Sequence, residues 1–176
     1  MTRSRIFGAP VQIVVDDLAF VAADAVARPV TATLRATTVL LRRFELAGGA
    51  GLARQLHFAE PLPVGSAVVT GAGELEVELL VHAVVSSDEQ RVTTGTVRQA
   101  LASALHRAAD FGVEHVAVPP FGLGAGNLDA EDSAAAMVDG IVQHLARARY
   151  PSEVVIVVES SYEAEVFAAR LAWASA

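Results

Sequence analysis

The chain has 176 residues, a formal net charge of −7, 53% hydrophobic residues, 6% aromatics and no cysteine. The length suggests one domain with a sizeable core over residues 1–176, and the hydrophobic fraction excludes a disordered chain. The acidic balance argues against a nucleic-acid backbone as partner, and the lack of cysteine removes disulfides, thiol nucleophiles and thiolate metal sites.

VQIVV (Val11–Val15) is short and β-branched and reads as a buried strand, broken by Asp16 and Asp17. AFVAADAVA (Ala19–Ala27) reads as a second strand pair or one bent strand. Residues 28–60 have no clean period; a helix is expected over about 38–47, ended by Gly48 and Gly49. SAVVT, the turn GAGE and VELLVHAVV then read as two strands, followed by the polar loop SSDEQRVTTG. Val97, Leu101, Leu105 and Ala108 recur at helical spacing, which predicts a helix over 96–111 stopped by Gly112. HVAVP (His115–Pro119) is a buried strand. Asp129, Glu131 and Asp132 suit the positive end of a helix whose buried stripe is Met137, Ile141 and Leu145, and Pro151 prevents its continuation. EVVIVV (Glu153–Val158) is a core strand, and Ser160 with Glu163 fits a capping box for the last helix. This order implies an α/β fold in which right-handed crossovers place helices over a mixed, mainly parallel sheet.

Between the strand HVAVP and the acidic helix start lies PPFGLGAGN, with Gly122, Gly124 and Gly126 at alternate positions. In such sheets ligands sit at the carboxyl ends of the strands. Glycines let backbone N–H groups approach an anion, and the following helix points its positive end at the loop. A diphosphate fits that chemistry; a ligand-free strand-to-helix turn accounts for the same glycines. The loop is neither a Walker loop, since no GK[ST] follows, nor a Rossmann fingerprint, since Asn127 stands where the last glycine belongs.

With the strand ending in Pro, GLGAGNL and the acidic helix start, the chain resembles the macro domain family. VGSAVVTGAGEL (Val64–Leu75), LLVHAVV (Leu79–Val85) and VVDDLAFVAADAVA are similar to three further segments of that family. The resemblance implies a three-layer α/β/α fold and an ADP-ribose-type ligand in a cleft on the strand ends, with no cofactor. It places Asp17 where the family's adenine-binding Asp stands, with Leu18 beside it. Gly122, Leu123, Gly124, Ala125, Gly126 and Asn127 fall in the loop for the diphosphate and distal ribose.

The departures concern the opposite wall. Arg28-Pro29-Val30-Thr31 stands where the family has Asn-Ala-Ala-Asn. Thr37-Thr38-Val39 stands where a second glycine-rich loop belongs. Glu159 holds the place of an aromatic against adenine, with Tyr162 three residues on. Arg28 is open to two readings, a phosphate partner or a solvated residue at a strand edge.

The remaining candidates read as structural. His57, His82, His106, His115 and His144 form no zinc spacing. His82 reads as a satisfied core residue, and His106 and His144 as solvent-facing. Ser66 is not in a nucleophile elbow. Glu74, Glu76 and Glu78 alternate as on one solvated strand face. No apolar run reaches the ~18 residues of a membrane span, and the first residues lack a signal-peptide core, so a soluble cytoplasmic protein is expected. Three functions stay open: an ADP-ribose-type binding module without efficient turnover, an ADP-ribosyl or O-acyl-ADP-ribose hydrolase, and a degenerate domain docking a protein partner at residues 28–60.

Overall fold

A computed structural model describes residues 1–124 and 127–176. Its sheet has seven strands: β1 (Thr2–Ile6), β2 (Ala9–Val15), β3 (Ala25–Thr31), β4 (Ala67–Gly71), β5 (Leu79–Ser86), β6 (His115–Val118) and β7 (Glu153–Val158), in the order β1-β2-β7-β6-β3-β5-β4. The five central strands from β2 to β5 run parallel, and the outer pairs β1–β2 and β4–β5 are antiparallel. The sheet is therefore mixed and mainly parallel, as the sequence order implies.

The expected single strand VQIVV is the second arm of a hairpin. β1 carries Arg3 and Arg5, so it lacks an apolar signature, and its turn at Phe7 and Gly8 has positive φ at both positions (49° and 85°), the geometry of a tight hairpin. The segment after Asp17 is not a strand pair. A 3-10 turn at Leu18–Phe20 opens it, and the chain then crosses one face of the sheet to reach β3. Glu74, Glu76 and Glu78 lie in the connection between β4 and β5 rather than on a strand face.

Helices α1 (Val39–Ala47) and α2 (Gly49–Gln55) share one face of the sheet with that crossing segment. Thr38 caps α1 by accepting from the N–H of Leu41. Helices α3 (Thr94–Asp110), α4 (Ala130–Leu145) and α5 (Ser161–Ala174) cover the other face. The central strands are buried on both sides, so they read as continuous apolar runs. In β7, Val154, Ile156 and Val158 face α3–α5, while Val155 and Val157 face the crossing segment. The three-layer α/β/α arrangement follows from these two covered faces.

Candidate functional site

The parallel strands β2, β7 and β6 end together at Val15, Val158 and Val118. Just beyond them a cleft of about 410 Å³ opens between the 3-10 turn and α1. Asp16, Asp17, Leu18 and Phe20 form one wall, Leu40, Arg43 and Phe44 of α1 the other, and Pro119, Val157 and Glu159 the floor. This is where an open α/β sheet presents ligands, because strand ends leave backbone groups unpaired and loops diverge there.

Asp17 builds its own wall. One carboxylate oxygen accepts from the N–H of Ala19 at 2.9 Å, which fixes the 3-10 turn and sets Leu18 and Phe20 beside it. Its other oxygen has no hydrogen-bond partner among the described residues. Burial, and then the charge of Glu163, raises the pKa of the Glu159 carboxyl. The amide of Glu159 donates to Glu163, and Ser160 accepts from the amide of Glu163, so the expected capping box is met in part and shifted by one residue.

The glycine loop begins on a buried frame. Phe121 is buried; its carbonyl accepts from Ser133 Oγ at 2.6 Å and its amide donates to Met137 Sδ, both from α4. Gly122 has φ of 84°, and a Cβ there would lie 2.9 Å from Leu128 and from Val97. Only glycine meets both demands. Gly124 is exposed with φ of 135°, and a Cβ on it would lie 3.3 Å from the carbonyl of Thr37. The loop preceding α1 thus closes directly on the glycine loop. The amides of Asn127 and Leu128 donate back to Gly124 and Gly122, and Asp129 caps α4 through the amide of Asp132. Leu123 is half-buried, and Ala125 and Gly126 lie outside the described residues.

The structure therefore brings Asp17 and Leu18 into one cleft, while Gly122, Leu123, Gly124 and Asn127 are not among its walls. Phe20, Leu40, Arg43 and Phe44 are walls that the sequence reading missed. Phe20 had a legible signal, an aromatic three residues after Asp17. Tyr162 does not replace the missing aromatic; its hydroxyl donates to Glu131 at 2.7 Å.

Arg28 is neither a solvated edge residue nor a phosphate partner. It is fully buried, donates from Nε to His82 and from Nη1 to Glu45 of α1 at 2.9 Å each, and points under α1. His82 is a satisfied core residue, with Nε2 2.8 Å from Thr70 Oγ1. His144 is buried rather than solvent-facing, with Nε2 2.8 Å from the carbonyl of Tyr150. Among the described residues no group of three or more His, Cys, Asp or Glu is arranged to hold a metal, and no helix is long and apolar enough to cross a membrane.

A mixed, mainly parallel sheet between two helical layers, with a cleft at the strand ends, defines a three-layer α/β/α domain of the class that presents ligands at that edge. Within that class the chain belongs to the macro domain family, whose model matches residues 40–137. A relative from Aeropyrum pernix is 30% identical over 144 residues, covering 80% of this chain and 74% of its own. A Mycobacterium tuberculosis relative is 27% identical over 121 residues, and the match spans 34% of that longer chain. Among solved structures, the Oceanobacillus iheyensis macrodomain with ADP superposes with a TM-score of 0.88 at 17% identity, covering 98% of this chain and 95% of that one. The Trypanosoma brucei macrodomain in complex with ADP-ribose superposes at 0.77 with 13% identity, covering 90% and 68%.

Proposed function

We propose that residues 1–176 act as one macro domain that binds ADP-ribose or a related nucleoside diphosphate, without efficient turnover. The observation that carries this reading is the cleft at the ends of β2, β7 and β6, with Asp17 offering a free carboxylate oxygen beside an apolar wall. At about 410 Å³ the cleft has room for a purine, and the glycine loop starts just after Pro119 of its floor, on the side proposed for the diphosphate. Family membership and the ligands named for the O. iheyensis and T. brucei structures support it.

The absence of turnover rests on Arg28. The position where the family has its first Asn holds a side chain committed to His82 and Glu45. Thr31, at the second Asn position, closes a local turn by accepting from the amide of Arg35. Neither lines the cleft at the strand ends.

Thermal denaturation with and without ADP-ribose tests binding, because a ligand that binds only the native state raises the midpoint. No shift at millimolar ADP-ribose contradicts the reading. Release of ADP-ribose from a modified protein, or of acetate from O-acetyl-ADP-ribose, at a rate that scales with enzyme would replace it with the hydrolase. Val39, Leu40 and Leu46 are exposed on α1 and favour a second reading, in which this face docks a protein partner. Under that reading Leu46→Asp abolishes partner capture and leaves the response to ADP-ribose unchanged.

A further inference from the structure

Helix α1 has two faces, and only one of them meets the cleft. Leu40, Leu41, Arg43, Phe44 and Ala47 line it. At about 100° per residue, Arg42, Glu45 and Leu46 fall on the opposite side, where they border a separate groove with Ala50 and Ala53 of α2. Glu45 is therefore no wall of the cleft. Its carboxylate is held from two sides, by Nη1 of Arg28 at 2.9 Å and by Nη1 of Arg42 at 3.1 Å. Arg42 is mostly exposed and adds little. Arg28 is fully buried and the Glu45 side chain is 13% exposed, so solvent screens this pair weakly.

From Arg28 the chain of hydrogen bonds runs through His82 and Thr70 to the Gly71 carbonyl, at 2.9, 2.8 and 2.9 Å. The amide of Gly71 then donates to Oε1 of Gln55, on α2, at 2.8 Å. Both α1 and α2 are thus tied to β3, β5 and β4 by one file. The tie matters because α1 has weak anchors of its own. Of its nine residues only Leu41 and Phe44 are buried, and a helix this short has little stability alone.

We infer that Arg28 and Glu45 are positioning residues for the ligand of the cleft: they seat α1 so that its Leu40–Phe44 face stands opposite the Asp17 turn, and they touch no ligand themselves. This rests on the nucleotide-binding reading above. It gives Arg28, which stands where the family has Asn, a part in binding that is not a contact. When α1 is seated in only a fraction of molecules, the apparent dissociation constant rises by the inverse of that fraction. Affinity then follows the seating of α1 and not global stability.

The test combines calorimetric titration with ADP-ribose, amide hydrogen exchange along α1 and thermal midpoints. Glu45→Ala is expected to speed α1 exchange and weaken ADP-ribose by about tenfold. Glu45→Gln keeps an acceptor for Arg28 and should stay within about threefold of wild type. Arg28→Met/Glu45→Ala leaves no buried charge unpaired, so it should regain stability. It does not restore the tie, so its affinity should stay as weak as that of Glu45→Ala. Should Glu45→Ala fail to fold, the double variant carries this comparison. Phe167→Leu, on α5 across the sheet, should lower the midpoint and leave affinity unchanged. Wild-type affinity in the double variant, or an equal loss of affinity in Phe167→Leu, overturns the assignment while nucleotide binding itself stands. A wild-type protein that binds no ADP-ribose overturns the nucleotide reading and this assignment with it.

Discussion

Nε of Arg28 donates to Nδ1 of His82 across 2.9 Å, from β3 to its register partner on β5, with both side chains fully buried. Because Nδ1 accepts, the neutral ring carries its proton on Nε2 and donates to Thr70 on β4, whose hydroxyl donates to the Gly71 carbonyl. At the other end Glu45 of α1 accepts from Arg28. The file crosses three neighbouring strands on one face and separates two apolar clusters, one around Val26, Phe44 and Leu80, the other around Val30, Leu34 and Val84. It fixes α1, and with it the Leu40–Phe44 wall of the cleft, at one position on the sheet.

Removing Glu45 leaves a buried guanidinium with its carboxylate gone. Glu45→Ala is expected to lower unfolding free energy by about 3 kcal/mol or more, the scale for a broken buried pair. The double variant Arg28→Met/Glu45→Ala should recover part of that loss, since no unpaired charge remains. Urea denaturation measures both. A single variant within about 0.5 kcal/mol of wild type would show the pair to be idle.

Burial and then the neighbouring Arg28 lower the His82 pKa from 6.5 to about 3. The unfolded chain therefore takes up a proton below pH 6.5 that the folded chain refuses until about pH 3. Stability from the neutral ring is complete above that window and is lost as pH falls through it, by up to roughly 1.4 kcal/mol per pH unit. His144, also lowered by burial, acts in the same direction. Urea midpoints from about pH 7.5 down to 4.5 should decline steeply in wild type and less steeply in His82→Gln. Parallel profiles would place the proton uptake elsewhere.

Gly122 and Gly124 are expected to fail differently. Gly122→Ala forces a Cβ into Leu128 and Val97 at positive φ, so it should destabilise the fold by about 2 kcal/mol. Gly124→Glu adds negative charge on the exposed side of the loop, so ADP-ribose binding should fall far more than the thermal midpoint does. A Gly124→Glu protein that binds as wild type removes the loop from the site.

Ser133 holds the start of that loop through the Phe121 carbonyl, and both residues are buried. Ser133→Ala leaves the carbonyl unsatisfied and should cost about 1–2 kcal/mol in urea denaturation. If the glycine loop contacts ligand, the same change weakens ADP-ribose several-fold; an unchanged titration would separate the frame from the site.

The sheet and its helices were legible from residue 64 onward because Val-rich runs and 3.6-residue spacing are local signals, and Thr38 to Gly48 marked α1. The misreadings came from long-range context. β1 is a charged arm with one buried apolar residue, Ile6, and its strand character comes from pairing with β2 rather than from a local apolar pattern. Arg28 beside Pro29 looks like an edge, yet β3 lies inside the sheet between β6 and β5, and its partners Glu45 and His82 lie 17 and 54 residues away. His144 is buried because the chain after α4 folds back to offer the Tyr150 carbonyl. In the site, Asp17 was read by resemblance, whereas Phe20 and Arg43 meet only when the crossing segment and α1 flank the same strand ends.

Calorimetric titration of the wild-type chain with ADP-ribose tests the central claim most directly. The account predicts saturable binding in the micromolar range, about −8 kcal/mol, weakened by Gly124→Glu. No heat of binding at millimolar ADP-ribose would contradict it and leave the cleft as an inherited fold feature.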